Sequence, residues 1–188
     1  GWLVAACLLW FGGLPHALAH KPSDSYLRLA VSNSVVTGQW DIALRDLEFV
    51  LGLDADEDGQ ITWGELKARH TDVAAFAFSR LRLNADTNRL VPRVLEHLVA
   101  NHTDGTYAVL KFEAPAPGPL EKLEVEYRLF FDIDPLHRGL LNLQWQGATN
   151  APALSAAPVT NGVAPQAGAP KVDISTNLTE HNRVPPPS

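Results

Sequence analysis

The sequence is short of several residue types, and each shortage removes a class of function. Its 188 residues include one cysteine, Cys7, and no methionine. Because Cys7 lies in an apolar N-terminal run, disulfide scaffolds, thiolate zinc sites and cysteine nucleophiles are excluded for the rest of the chain. Lysine and arginine total 15 against 21 acidic residues and form no cluster, which argues against a nucleic-acid interface.

Familiar catalytic motifs are also missing. The chain has no G-x-S-x-G, no P-loop, no dinucleotide-binding fingerprint and no H-E-x-x-H. We find no internal repeat, and no segment after the N-terminal run is apolar enough to cross a membrane. A hydrophobic content of 46% is still enough for a buried core. The sequence therefore predicts a globular, non-enzymatic domain.

Residues 1–19 contain no charge and resemble the apolar and cleavage regions of a secretory signal peptide. The apolar run is followed by the helix-breaking segment GGLP at 12–15. The segment ALA at 17–19 then has the small-x-small pattern of a cleavage site. Cleavage there would leave His20 as the first mature residue and export the protein to the periplasm or another extracytoplasmic site. A membrane anchor is the alternative, although a run of about 10 apolar residues is short for a span.

Period-two alternation of apolar and polar residues predicts strands on both sides of a helical stretch. Residues 26–31 and 35–44 predict a hairpin, with Asp41 on the outward face. After the helical stretch, strands are predicted at 91–99, 107–114, 120–133 and 140–145, with Glu126 on an outward face. The fold class predicted is α+β, an antiparallel, Ig-like β-sandwich with an inserted helix–loop–helix.

The predicted domain covers residues 20–145, and the helical insertion covers about 46–81. Asp46 is the expected cap of a short first helix, and helical periodicity then runs over 63–81. Residues 146–170 have no charge and are rich in Ala, Pro and Gly, so they predict a flexible linker. Residues 171–188 predict a short strand and a Pro-rich tail.

The acidic segment DADEDGQITWGE at residues 54–65 matches the pattern D-x-[DN]-x-[DN]-G-x5-E at every defined position. Calcium is a hard cation that takes about 6–8 oxygen ligands, which carboxylates, carbonyls and water supply. Gly59 permits the sharp turn around the ion, and Ile61 fills an apolar position that anchors the loop. The predicted calcium ligands are Asp54, Asp56, Asp58, Gln60 through its carbonyl, Thr62 directly or through water, and Glu65 with both carboxylate oxygens.

This segment resembles the EF-hand family, and the resemblance covers the loop and a helix on each side. EF-hands usually occur in pairs, whereas this sequence contains one complete loop. The letters NADTN at 84–88 lack the glycine and the final glutamate, so they predict a turn. An unpaired hand tethered between strands predicts a structural calcium ion that does not act as a switch.

A wider resemblance covers most of residues 20–145. The letters HKPSDSYL at 20–27 and GQWDIALRDL at 38–47, followed by the acidic loop, are similar to the extracytoplasmic N-terminal region of bacterial HupE/UreJ-like membrane proteins. That family is linked to nickel supply, and for this chain the resemblance implies an accessory or interaction module of a membrane-associated system. Its implied partner is a membrane protein, or a membrane domain of which this chain is the N-terminal piece. A free-standing soluble relative is the alternative.

Two weaker arrangements predict other functions. An N-terminal His20 could chelate nickel or copper with its amine and imidazole, which would make the protein a transition-metal-handling accessory domain. Asp132, Asp134 and His137 could perform acid–base chemistry if they lined one cleft. A turn at the end of a strand is the simpler interpretation of the second group.

Overall fold

A computed structural model describes residues 24–146, 154–160 and 171–175. The predicted signal peptide at 1–19, His20, most of the predicted linker and the Pro-rich tail lie outside the described residues. Within the described part of the chain, no helix has the length and apolar character needed to cross a membrane.

The described chain is a mixed α+β structure rich in strands, as the sequence predicts. Its elements follow one another in the order β1 (Asp24–Ser32), β2 (Val35–Ala43), α1 (Leu44–Leu51), α2 (Trp63–Ala68), α3 (His70–Ser79), β3 (Leu81–Ala85), β4 (Asn88–Leu90), β5 (Arg93–His102), β6 (Gly105–Pro115), β7 (Lys122–Tyr127), β8 (Arg138–Gln146), β9 (Leu154–Thr160) and β10 (Lys171–Ser175).

These strands form two sheets that share one hydrophobic core. The six-stranded sheet has the order β5-β6-β2-β1-β8-β9, and the four-stranded sheet has the order β10-β7-β3-β4. Leu29 and Trp40 from the larger sheet and Leu83 and Val125 from the smaller one belong to the same buried cluster. This arrangement is compatible with a β-sandwich.

The helices connect the two sheets. The chain leaves the larger sheet at Ala43, enters α1 at the next residue, and joins the smaller sheet at Leu81 after α3. Leu47 of α1, Leu66 of α2 and Val73 of α3 are buried in the core. The helix–loop–helix is therefore attached to a different sheet at each end.

The predicted hairpin at 26–44 is confirmed, because β1 pairs antiparallel with β2 across a turn at Asn33 and Ser34. Leu27, Leu29 and Val31 are buried while Arg28 is exposed, as alternation predicts. The predicted turn at 84–88 is also present, between β3 and β4.

The prediction of a purely antiparallel sandwich is wrong at one strand pair. β1 pairs with β8 in parallel, from Asp24 opposite Arg138 to Ser32 opposite Gln146. A parallel neighbour needs a long connection, and the helices and six other strands lie between these two strands in the chain. Alternation within a strand carries no information about such a partner.

Three predicted boundaries are also wrong. Alternation continues to residue 133, but β7 ends at Tyr127 and the chain turns, with Phe130 at φ +59°. The helical stretch at 63–81 is broken at Arg69, and Leu81 already belongs to β3. Asp46 does not cap α1, since the helix begins earlier, after Ala43.

The predicted linker at 146–170 contains a strand. β9 pairs antiparallel with β8, which would otherwise be an open edge of the larger sheet. An absence of charge therefore did not exclude strand structure here. The short strand predicted within 171–188 corresponds to β10, which pairs with β7.

Two carboxylates predicted to face outward are buried. The side chain of Asp41 lies on the sheet face opposite to that of the core-facing Trp40 and Ile42, yet Asp41 is 2% exposed. Glu126 is likewise 2% exposed, although its neighbours along β7 face the core. Alternation gave the correct face in both cases, but cross-strand side chains cover that face.

Candidate metal centre

The acidic loop lies between α1 and α2 and is exposed over most of its length. Its last residues begin α2, where the hydroxyl of Thr62 accepts the amide of Glu65 and the Glu65 carboxylate accepts the amide of Thr62. This reciprocal capping box satisfies two amides that the first helical turn leaves without partners. The loop therefore has an ordered end at α2.

Three carboxylates converge at the start of the loop. The ligand oxygens of Asp54, Asp56 and Asp58 all lie within 4.8 Å of one another. A group of this kind supplies only oxygen donors, which suits a hard cation. These are the first three residues of the predicted ligand set.

Backbone amides hold these carboxylates in place. Asp54 accepts the amide of Asp58 at 3.2 Å and the amide of Gly59 at 2.8 Å, one on each carboxylate oxygen. Asp56 accepts the Asp58 amide at 3.3 Å, and Asp58 accepts the Gln60 amide at 2.8 Å. The loop thus curls around its own acidic side chains.

The curl requires left-handed backbone at two residues. Gly59 has φ +83°, a region that costs glycine little, and a Cβ there would meet nothing within 4 Å. Glu57 has φ +58° without that freedom. The role predicted for Gly59 from the sequence pattern agrees with this geometry.

Glu65 stands beside the group of three carboxylates and joins the two ends of the loop. One oxygen accepts the amide of Ala55 at 2.8 Å, and the other accepts the amide of Thr62 at 2.8 Å and its hydroxyl at 2.7 Å. The side chain therefore reaches back from the twelfth loop position to the second. Gln60 and Thr62 lie between Gly59 and α2, as predicted.

Crowding of negative charge affects protonation in the loop. A hydrogen bond from the Asp58 amide lowers the pKa of Asp56, but the charge of Asp58, desolvation and the charge of Glu65 outweigh it, so the pKa is raised overall. Hydrogen bonds from Thr62 and Ala55 lower the pKa of Glu65. A bound cation would relieve the repulsion that acts on Asp56.

The loop borders an open cleft of about 500 Å³. One side is formed by Glu48, Asp54 and Gln60, and the other by Asp104 and Tyr107 at the hairpin between β5 and β6. The loop is therefore accessible to a cation from solvent.

Asp132 and Asp134, two residues of the alternative acid–base group, each contact a different partner. Asp132 pairs with Arg80 at 2.9 Å, and Asp134 accepts the amide of Leu136 at 2.8 Å within its own turn. His137 is 1% exposed. The segment is a turn, as the simpler interpretation predicts, and it begins after Tyr127.

Sequence reasoning missed a buried polar cluster formed by Ser25, Tyr127 and His137. The hydroxyls of Ser25 and Tyr127 bond to each other, and each lies 3.2 Å from Nε2 of His137. Burial lowers the pKa of His137 to about 4, although Asp134 and Asp24 act in the opposite direction. Ser25 lies 102 positions from Tyr127 and 112 from His137, so no local pattern joins the cluster.

A second missed cluster surrounds the buried Asp41. Its carboxylate accepts Gln39 at 2.8 Å and lies 3.4 Å from Arg28 and 3.2 Å from His102. The ring of Tyr26 stacks on His102 with 5.1 Å between centroids. These contacts explain how a carboxylate can be buried at this position.

Compared with known proteins, the chain matches no protein-family model and no curated sequence.

Proposed function

We propose that this chain is an exported calcium-binding domain, with a single EF-hand at residues 54–65 inserted into an Ig-like β-sandwich. The observation that carries the proposal is the convergence of Asp54, Asp56 and Asp58 within 4.8 Å in a loop whose amides orient them. Calcium would also take the carbonyl of Gln60, Thr62 directly or through water, and Glu65. We propose that the protein is exported, because residues 1–19 resemble a secretory signal peptide.

Within this proposal, calcium stabilises the domain and does not act as a switch. α1 follows β2 without an intervening residue, and α3 is separated from β3 by Arg80 alone. Opening the helix pair would therefore pull on both sheets. The chain also lacks methionine, the residue that lines the groove exposed by sensor EF-hands.

The resemblance to HupE/UreJ-like proteins supports a role as an accessory or interaction module of a membrane-associated system. The partner proposed is a membrane protein or a membrane domain.

A calorimetric titration of the purified protein with CaCl₂ tests the binding proposal. The unmodified protein should show one site, and Glu65→Gln should weaken it at least about tenfold, because Glu65 would supply two of the ion's roughly 6–8 oxygen ligands. Glu57→Gln is the matched control, since it removes the same charge from a loop position that is not a predicted ligand. Absence of a calcium signal in the unmodified protein would refute the proposal.

Thermal unfolding and a hydrophobic dye test the structural role. At a hundredfold excess over Kd, calcium bound only to the folded state adds about 2.7 kcal/mol to the free energy of unfolding. The melting temperature should rise, and dye fluorescence should stay constant or fall. Stronger dye binding on calcium addition would indicate a sensor-like opening.

A further inference from the structure

The entrance to the acidic loop is built differently from its exit. α1 ends at Leu51, and Gly52 then takes a left-handed conformation with φ +59°. Helical hydrogen bonding therefore stops before Asp54, the first predicted ligand. The Gly52 amide still bonds to the carbonyl of Glu48 at 2.8 Å, but the next two amides have left the helix.

The side chain of Glu48 binds both of these amides. Its Oε2 accepts the amide of Leu53 and, at 2.8 Å, the amide of Asp54. Charge-assisted bonds of this kind are stronger than bonds between neutral groups. Glu48 lies six residues before Asp54 and outside the twelve-residue pattern, so the motif gives it no role.

The same segment is also held by Arg69, which lies between α2 and α3. Its guanidinium donates to the carbonyl of Gly52 at 3.1 Å and to Asp72 at 2.6 Å. The main chain at the loop entrance is therefore fixed by one side chain from before the loop and one from after it.

We propose that Glu48 is a positioning residue for the calcium site, an inference that rests on the proposed function. Glu48 fixes the main chain of Asp54, while the amides of Asp58 and Gly59 fix its carboxylate. A ligand held at both ends loses little conformational freedom when the ion binds, and this preorganisation raises affinity. Glu48 thereby acts on calcium through Asp54.

Calcium titration of three variants tests this role, at a temperature where circular dichroism shows each to be fully folded. Glu48→Ala removes both bonds and should weaken calcium binding about tenfold. Glu48→Gln keeps an oxygen acceptor in the same place and should recover part of the loss. Glu57→Gln removes an equal charge without touching the entrance and should weaken binding no more than about threefold.

These variants separate positioning from charge and from general stability. A purely structural residue would leave the Kd of the folded protein unchanged. If Glu48→Ala binds calcium as tightly as the unmodified protein, the positioning role is refuted. Equal losses in Glu48→Ala, Glu48→Gln and Glu57→Gln would refute it too, because only charge would then matter. Should Glu48→Ala fail to fold, Glu48→Gln compared with Glu57→Gln decides the question.

Amide hydrogen exchange without calcium gives a readout that does not depend on the metal. The amides of Leu53 and Asp54 should exchange slowly in the unmodified protein and faster in Glu48→Gln, while the amide of Trp40 in β2 serves as the unchanged reference. If both amides exchange slowly but the protein binds no calcium, the Glu48 contact is present and the proposed function is refuted. Rapid exchange at both in the unmodified protein would refute the positioning role itself.

Discussion

The acidic loop and the buried cluster of Ser25, Tyr127 and His137 are both polar, but they are built in opposite ways. The loop gathers its groups from twelve consecutive residues and lies exposed on the surface. The cluster brings together residues up to 112 positions apart and excludes water from all three. Loop carboxylates are therefore open to solvent, whereas each polar group of the cluster depends on its neighbours.

The largest effect that separates the two regions should come from pH. Burial lowers the pKa of His137 from 6.5 to about 4, so the unfolded chain binds a proton in this window and the folded protein does not. The contribution of the neutral His137 imidazole to the free energy of unfolding is fully present above pH about 6.5 and is lost as the pH falls toward 4. By linkage the loss amounts to about 3 kcal/mol.

Chemical denaturation at pH 7 and pH 4 measures this loss. Carboxylates also respond to acid, so the informative quantity is the difference between the unmodified protein and His137→Gln. The variant should lose about 3 kcal/mol less between the two pH values. The same pH dependence in both proteins would contradict a buried neutral imidazole.

A smaller effect should follow from filling space beside the cluster. Gly139 lies against the ring of Tyr127, and a Cβ at this glycine would be 2.6 Å from the nearest ring atom. Since the phenol is held by Ser25 and His137, the ring has little freedom to move. Gly139→Ala should lower the free energy of unfolding by about 2 kcal/mol in urea denaturation.

Gly118→Ala is the control for this substitution. A Cβ at Gly118 meets nothing within 4 Å, so its effect should stay within about 0.5 kcal/mol. If Gly139→Ala and Gly118→Ala changed the free energy of unfolding by similar amounts, the packing around Tyr127 would have to relax more easily than its burial indicates.

The smallest effect is expected near the loop, and its sign is opposite. Gly64 is exposed near the start of α2, and a Cβ there would lie 3.7 Å from the Thr62 hydroxyl, an ordinary contact. Gly64→Ala should raise the free energy of unfolding by about 0.5–1 kcal/mol, measured with a calcium chelator present, because it restricts the unfolded chain.

Gly52→Ala provides the contrast, since Gly52 has φ +59° and a side chain is strained there. It should lower stability although space is open around it. Stabilisation by both substitutions would argue against the left-handed end of α1.

Prediction from the sequence succeeded where the responsible forces act over a few residues. The loop pattern correctly anticipated the turn at Gly59 and the convergence of three aspartates, and alternation located the first hairpin. It failed at β7, where residues 128–133 continue to alternate but the chain turns at Phe130. Alternation reports the environment of side chains, and buried turns can share that environment with strands.

Long-range pairing accounts for the two carboxylates that are buried on a face predicted to be exposed. Asp41 is buried because Arg28 and His102 reach it from other strands, and Glu126 because Arg82 and Arg128 flank it. A sequence gives the face of each residue but not the partners across the sheet. Glu48 was missed for a different reason, since it lies close in sequence to the loop but its role depends on where α1 ends.

The parallel pairing of β1 and β8 has a consequence for how the chain matures. Asp24 and Arg138 are 114 residues apart and form a bidentate ion pair, with distances of 2.6 and 2.7 Å. During synthesis, the β1–β2 hairpin can form early, but one edge of β1 must wait until β8 has been made. Contacts of such high separation slow folding and prolong the exposure of unpaired edges. A nascent chain that has not yet reached Arg138 thus carries an unpaired edge of β1, to which a chaperone or a second chain could bind.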